Sequence, residues 1–228
     1  MCGQVHPERY IGRVRPQNGA DKAVEIGDRL RLAGLAIMRE DKLIEEIKKC
    51  SYCERDFGFT PAPVVWGNKN SKIVQISQAP SRIVSETLKP FTDPSGKTLK
   101  YEWYKIDDEV FYNKNNFYIA ALAHCYPGKD KNGGDKNPPK CCFERWIKKE
   151  LELIENDIYI IIGAKAAKVF FPQENFEDLV FKNNLYNNKL TIVLPHPSPL
   201  NKKWIKDHPD FVNIRLKEIR TIIDEVLK

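Results

Sequence analysis

The sequence predicts an α/β protein: a three-layer α/β/α sandwich around a central, mainly parallel four-stranded sheet. Three observations carry this expectation. Four short runs, KIVQIS at 72–77, FYIAALAH at 117–124, IYIIIG at 158–163 and LTIVL at 190–194, are β-branched or aromatic and apolar at nearly every position. That is the composition of strands covered on both faces. Helical patterns at 143–155, 164–171 and 212–227 follow or separate them, and strands alternating with helices build parallel sheets. At 228 residues, 42% hydrophobic and 11% aromatic, the chain has the length and composition for one substantial core.

The elements follow in order. Residues 1–38 hold one Lys and five Arg, against twenty-five Lys and six Arg in 39–228, with Met38 at the junction. That break marks 1–37 as an N-terminal extension, a leader or upstream addition to which no site is assigned, and 38–228 as a single domain. From Arg39 to Lys49 the pattern places Leu43, Ile44 and Ile47 on one face of a short helix, which runs into Cys50 and Cys53. The first strand ends in QAPS, and QAPSRIVSETLKPFTDPSG (78–96) is expected to be a loop. Its small residues let backbone amides approach a ligand, and Phe91 is held between Pro90 and Thr92 for face stacking. The second strand leads into HCYPGKDKNGGDKNPPKCC (124–142), which is too rich in breakers for helix or strand. GAKAA follows the third strand and PHPSP the fourth. Ligand sites in such sheets gather at the carboxyl ends of the strands, so these four loops are expected along one edge. The sequence has no internal repeat.

Composition excludes several classes. No apolar run approaches the ~20 residues that span a bilayer, and the N-terminus lacks the apolar core of a secretory signal. The expectation is an intracellular protein, cytoplasmic if prokaryotic, and a monomer with no membrane partner. In that compartment cysteines stay reduced and bind metal or do chemistry. The net charge is +6 and the pI near 8.9, which suits a polyanionic partner. Lysines 129, 131, 136, 140, 148 and 149 surround the breaker-rich loop, and Lys202, Lys203 and Lys206 follow PHPSP.

Two constellations carry chemistry. The pair Cys50 and Cys53, with Cys125 at a strand end and Cys141 and Cys142 at a helix start, makes a four-thiolate site, which suits tetrahedral zinc or a [4Fe–4S] cluster. The bland alternative is that Cys125 and one of the adjacent pair are buried hydrophobes. In PHPSPL, His196 stands between two prolines after a buried strand, with its imidazole aimed outward to donate to an oxygen that gains negative charge. Ser198 offers a hydroxyl and an amide to a phosphate, and Pro199 with Leu200 can wedge into a base stack.

In order and spacing these segments resemble the uracil-DNA glycosylase superfamily over about residues 40 to 227, nearest its iron–sulfur branch. The helix with C-x-x-C precedes SQAPS (77–81), which answers to a G-[EQ]-A-P-G motif, and Pro90 to Gly96 answer to P-F-x-D-x-S-G. C-Y-P-G falls at Cys125 to Gly128, G-G-D at Gly133 to Asp135, and the paired prolines at Pro138–Pro139, with Cys142 and Trp146 beyond. Leu194 to Trp204 answer to L-P-H-P-S-P-x-N-x-x-W. The resemblance implies a base-excision repair glycosylase that flips uracil or another deaminated base out of DNA. It hydrolyses the N-glycosidic bond and leaves an abasic site. It implies that the base stacks on Phe91 and meets groups around Gln78, Ala79 and Pro80. His196 would stabilise the anionic base, Ser198 would hold a flanking phosphate, Leu200 would fill the vacated stack, and Pro199, Lys202 and Lys203 would line the DNA. Cys50, Cys53, Cys125 and Cys142 would hold a [4Fe–4S] cluster, with Cys141 the alternative to Cys142 and zinc the alternative metal.

Three departures are visible. Ala79 stands where some members carry an aspartate that orients the water, and Asp93 is the candidate substitute. Ser77 and Ser81 replace glycines. Ala121 occupies the strand position where many relatives read uracil with an Asn. The rival expectation is a non-catalytic iron–sulfur nucleic-acid-binding protein on the same fold.

Overall fold

The computed structural model describes residue 39 and residues 41–228; the extension expected at 1–37 lies outside them. The strands are β1 (Ile73–Ser77), β2 (Phe117–Ala121), β3 (Ile158–Ile162), β4 (Asn184–Tyr186) and β5 (Lys189–Leu194), in the sheet order β2-β1-β3-β5-β4. β1 pairs in parallel with β2 and β3, Ile73 lying opposite Phe117 and Ile158, and β3 pairs in parallel with β5. The first three are buried at every position, which is why their sequences are continuously apolar rather than alternating.

The expected sheet of four strands has a fifth. β4 is antiparallel to β5, joined through Asn187 and Asn188, both with positive φ. The hairpin signal was therefore the Asn-Asn pair, which tolerates the left-handed conformation of a tight turn. β4 itself is too short to show a periodicity. A second difference lies in the run 117–124. Its ladder stops at Ala121, and Leu122 to Cys125 are buried while the chain bends. Burial, not strand geometry, makes that tail apolar.

Helix α1 covers 41–48 and buries Leu43 and Ile47; α2 is Tyr52–Phe57. The stretch expected as a loop at 78–96 is largely helical. α3 (Arg82–Thr87) is capped by Ser81, whose hydroxyl accepts from Val84 N. α4 (Pro94–Lys97) is capped by Asp93 with Pro94 in the first turn, and it runs on as a π-wound segment, Thr98–Tyr104. Ser or Asp at a cap and Pro just inside it are ordinary helix starts; their prolines and serines had masked them as breakers. α5 is Asp108–Tyr112. One continuous helix comprises α6 (Lys140–Cys142), the π-wound Phe143–Ile147 and α7 (Lys148–Leu153). α8 (Ala164–Phe170), α9 (Phe176–Phe181), α10 (Lys202–Asp207) and α11 (Leu216–Leu227), the last preceded by a π-wound segment, Phe211–Arg215, follow.

Adjacent residues of β2 show the layering. Phe117 stacks on Tyr104 at 6.2 Å between ring centroids, while Tyr118 donates to Glu150 of α7 on the opposite face. Helices thus cover both faces of the sheet, giving the expected three-layer sandwich. No described helix is long and apolar enough to cross a membrane.

Candidate active site and thiol cluster

A cavity of about 450 Å³ opens at the carboxyl ends of the parallel strands. Gln78, Ala79 and Pro80 wall it after β1, Ala120 and Ala121 at the end of β2, Lys165 at the start of α8, and His196, Ser198 and Leu200 after β5. The four loops do meet along one edge. Pro199, Lys202 and Lys203 stand outside the cavity wall: Pro199 opens a short 3-10 turn, Pro199–Asn201, and the lysines begin α10.

Phe91 lines the cavity from a strained position. Its φ is 54°, a region disfavoured for a bulky residue, so something must impose it. A Cβ at Gly96 would lie 1.9 Å from the Phe91 carbonyl oxygen, so only glycine admits this approach of two backbones. The Tyr112 hydroxyl donates to Pro90 O at 2.9 Å, with Phe91 O at 3.3 Å, and accepts from Lys100 Nζ at 3.2 Å. Lys100 is itself buried and paired with Asp108 at 2.6 Å. The Phe91 ring rests edge-on against Phe111 at 6.0 Å.

The turn after β5 is held by its own bonds. Ser198 N donates to His196 Nδ1 at 3.2 Å, Leu200 N to Ser198 Oγ at 3.2 Å, and Asn201 Nδ2 to His196 O at 3.1 Å. Since Nδ1 accepts a bond, the neutral ring carries its proton on Nε2. The ring is open to solvent on one side, while protein crowds the others; that desolvation lowers its pKa below the ordinary value, against the opposing pull of Asp93 and Asp135. The Ser198 amide, expected to meet a phosphate, is thus committed to the histidine. Asp93 faces the same cavity, with Oδ1 accepting from Gly96 N at 3.0 Å.

Two charged wall residues were not singled out from the sequence: Asp135 and Lys165. Asp135 lay in plain view as the acid of GGD, and Lys165 as the one long side chain of GAKAA at a strand end.

On the far side of Ala123 a second, apolar cavity is lined by Cys50, Cys53, Cys125 and Cys142, with Ile47 and Trp146 among its walls. Cys141 is not in that wall, but its thiol hydrogen-bonds to that of Cys53. Cys142 Sγ accepts from His124 N at 3.4 Å. Burial, then neighbouring thiols, push Cys53 up to about 12; burial chiefly pushes Cys142 to about 12 and Cys125 to about 11. His124 is fixed between Val64 O and Glu150 Oε2, both at 2.9 Å from a ring nitrogen. Among the described residues no group of three or more His, Cys, Asp or Glu is arranged to hold a single metal ion. The donor set nonetheless fits a group that spreads four thiolates over several metals. Soft sulfur ligands face one another in an apolar cavity where only a bound cation makes their charged forms favourable.

The sequence model described as "Uracil DNA glycosylase superfamily" matches residues 64–220. The chain is similar to a Type-4 uracil-DNA glycosylase of Thermotoga maritima, 24% identical over 159 residues, covering 68% of this chain and 80% of that protein. A Type-4 uracil-DNA glycosylase of Saccharolobus solfataricus is 23% identical over 137 residues, covering 60% of this chain and 61% of that protein.

Proposed function

The chain belongs to the uracil DNA glycosylase superfamily, and from that premise we propose that it is a base-excision repair enzyme acting on DNA inside the cell. It hydrolyses the N-glycosidic bond of uracil or another deaminated base and leaves an abasic site. The observation that carries this reading is His196, whose Nδ1 accepts the Ser198 amide, so that an Nε2–H is presented to the same cavity that Phe91 lines.

The flipped base stacks on Phe91 and meets groups of Gln78, Ala79 and Pro80. As the C1′–N bond breaks, its electron pair moves into the base, and the His196 Nε2–H donates to the base oxygen that gains the charge. A neutral donor suits this step because it stabilises the anion without being consumed. Ala121 gives the strand end no side-chain amide, so discrimination between uracil and other deaminated bases rests on shape and on the groups around Gln78. Leu200 is 95% exposed; a leucine left in water forgoes about 1.5–3 kcal/mol of burial, which insertion into the vacated stack recovers, with Pro199 stiffening the wedge. The Ser198 hydroxyl, Lys202 and Lys203 serve the phosphates. The bridge from Lys203 to Asp207 is exposed, and solvent screens such pairs to little net worth, so a phosphate readily replaces it.

In this proposal Cys50, Cys53, Cys125 and Cys142 would hold a [4Fe–4S] cluster, whose metal–thiolate bonds would tie together the α1–α2 turn, the bend after β2 and α6. Zinc is the weaker alternative, since a single ion needs its ligands around one point.

Single-turnover excision tests the reading, with oligonucleotides carrying uracil, hypoxanthine, xanthine or no lesion. Abasic-site formation from at least one deaminated base is expected, with a loss of at least ~10²-fold in His196→Ala, the scale of one transition-state donor. Excision that survives the mutation would remove His196 from its role. Tight DNA binding with no excision of any base would favour the non-catalytic protein on the same fold.

A further inference from the structure

The hairpin that follows Tyr126 is more highly built than a lysine-rich DNA-contacting loop requires. Lys129 and Asp135 form a β-bridge, Asp130 N donates to Gly134 O at 2.8 Å, and Lys136 N donates to Gly128 O at 2.9 Å. Asp130 Oδ1 closes the tip by accepting from Asn132 N and Gly134 N. These bonds return the chain to the cavity and set Asp135 in its wall. There the carboxylate is oriented from its own hairpin: Oδ1 meets Lys129 Nζ at 2.9 Å and accepts from the Tyr126 hydroxyl at 3.2 Å.

That placement works against DNA binding. Lys129, Lys131, Lys136 and Lys140 attract phosphates, and an anion among them at the cavity mouth repels the same phosphates. Asp130 is accounted for by the turn it closes. Asp135 closes no turn; its charge faces the cavity and reaches the His196 imidazole. Each carboxylate at the cavity has one oxygen engaged, but Asp93 caps the backbone of the helix that braces Phe91, whereas the partners of Asp135 are two side chains of its own hairpin; Ala79 offers no carboxylate.

We infer that Asp135, rather than Asp93, is the carboxylate that orients the attacking water and faces the cationic sugar, an inference that rests on the glycosylase reading of this pocket. When the C1′–N pair has left with the base, C1′ carries the positive charge. Water oxygen donates a lone pair to C1′, one water proton passes to the Asp135 carboxylate, and the base anion takes up a proton from solvent. The C–N bond is replaced by a C–O bond and no oxidant is required. Asp135 is thus a catalytic residue, and Tyr126 and Lys129 position it.

The test compares Asp135→Asn, Asp135→Glu and Asp93→Asn in single-turnover excision. In parallel, binding is measured to an oligonucleotide carrying non-cleavable 2′-fluoro-2′-deoxyuridine. Asp135→Asn is expected to slow excision about 10²-fold while binding DNA as tightly as wild type or more tightly, because a repulsive charge is gone. Asp135→Glu is expected to restore at least about a tenth of the wild-type rate, and Asp93→Asn to lose less than about tenfold. A residue that merely shaped the hairpin would weaken binding together with rate, and that result overturns the inference. So does an Asp135→Asn variant within about threefold of wild type, which leaves the glycosylase reading standing. A wild-type protein that excises no base overturns that reading and the inference with it.

Discussion

On one side of Ala123 lies a cavity of about 450 Å³ whose polar groups, His196 and Asp93 among them, reach solvent. On the other lies a small apolar cavity in which Cys53 and Cys125 are buried. The groups on the open side already have partners: His196, Ser198 and Asn201 bond within one turn, and Asp93 caps a helix. The thiols lie among one another with single backbone bonds to Cys125 and Cys142, and burial pushes three of them strongly toward the neutral form. The first region is fixed by hydrogen bonds within its own turn and helix cap, whereas in the second burial and neighbouring thiols dominate.

The largest effect that would sharpen this contrast is expected on the thiol side. Cys125→Ala should abolish the broad visible absorbance and the bound iron expected of the purified wild type. It should also lower the melting temperature by at least about 5 °C, since each kcal/mol moves a domain of this size roughly 2–4 °C. A colourless wild-type protein, or a variant with an unchanged melting curve, would break the comparison at its root.

On the pocket side the pH profile is the sharper probe. Because desolvation lowers the His196 pKa below 6.5, the ring stays neutral as the pH falls past that value. Protonation below it would put a proton on Nδ1 and displace the Ser198 amide. The excision rate is therefore expected to hold from pH 8 to about 6.5 and to fall only at lower pH. A rate that climbs on acidification would identify the imidazolium as the acting form.

Two smaller effects test how far each residue is preorganised. Leu200→Ala should cost about tenfold in excision from duplex DNA and much less from single strands, because only a duplex leaves a stack to fill. Its melting temperature should not move, as the side chain is already in water. Tyr112→Phe removes the hydroxyl that holds the Phe91 backbone. A loss of about 1 kcal/mol of stability is expected in denaturant unfolding, the size of one hydrogen bond, with a few-fold slower excision.

Much of this was legible from residues alone, for physical reasons. The β-branched runs announced the parallel strands because burial on both faces leaves no polar position, and the Pro-bracketed His196 announced a stiff turn at a strand end. α3 and α4 were missed because Ser81, Asp93 and Pro94 act as caps only once a helix exists behind them; in the sequence they look like loop residues. β4 was missed because three residues cannot show a period. The commitment of the Ser198 amide to His196 was hidden for another reason, since a bond between positions two apart depends on backbone angles that composition does not encode. Asp135 was visible as a letter but not as a wall, because its place depends on how the hairpin folds back.

The wall of alanines at 79, 120 and 121 has an evolutionary consequence. Their side chains set the width and polarity of the floor, whereas the turn carrying His196 is secured by bonds that do not involve them. If the proposed excision reaction is correct, lesion preference can drift by single substitutions among these small residues while the His196 turn stays intact. A descendant that gains an amide at position 121 would acquire a new preference without relearning the reaction.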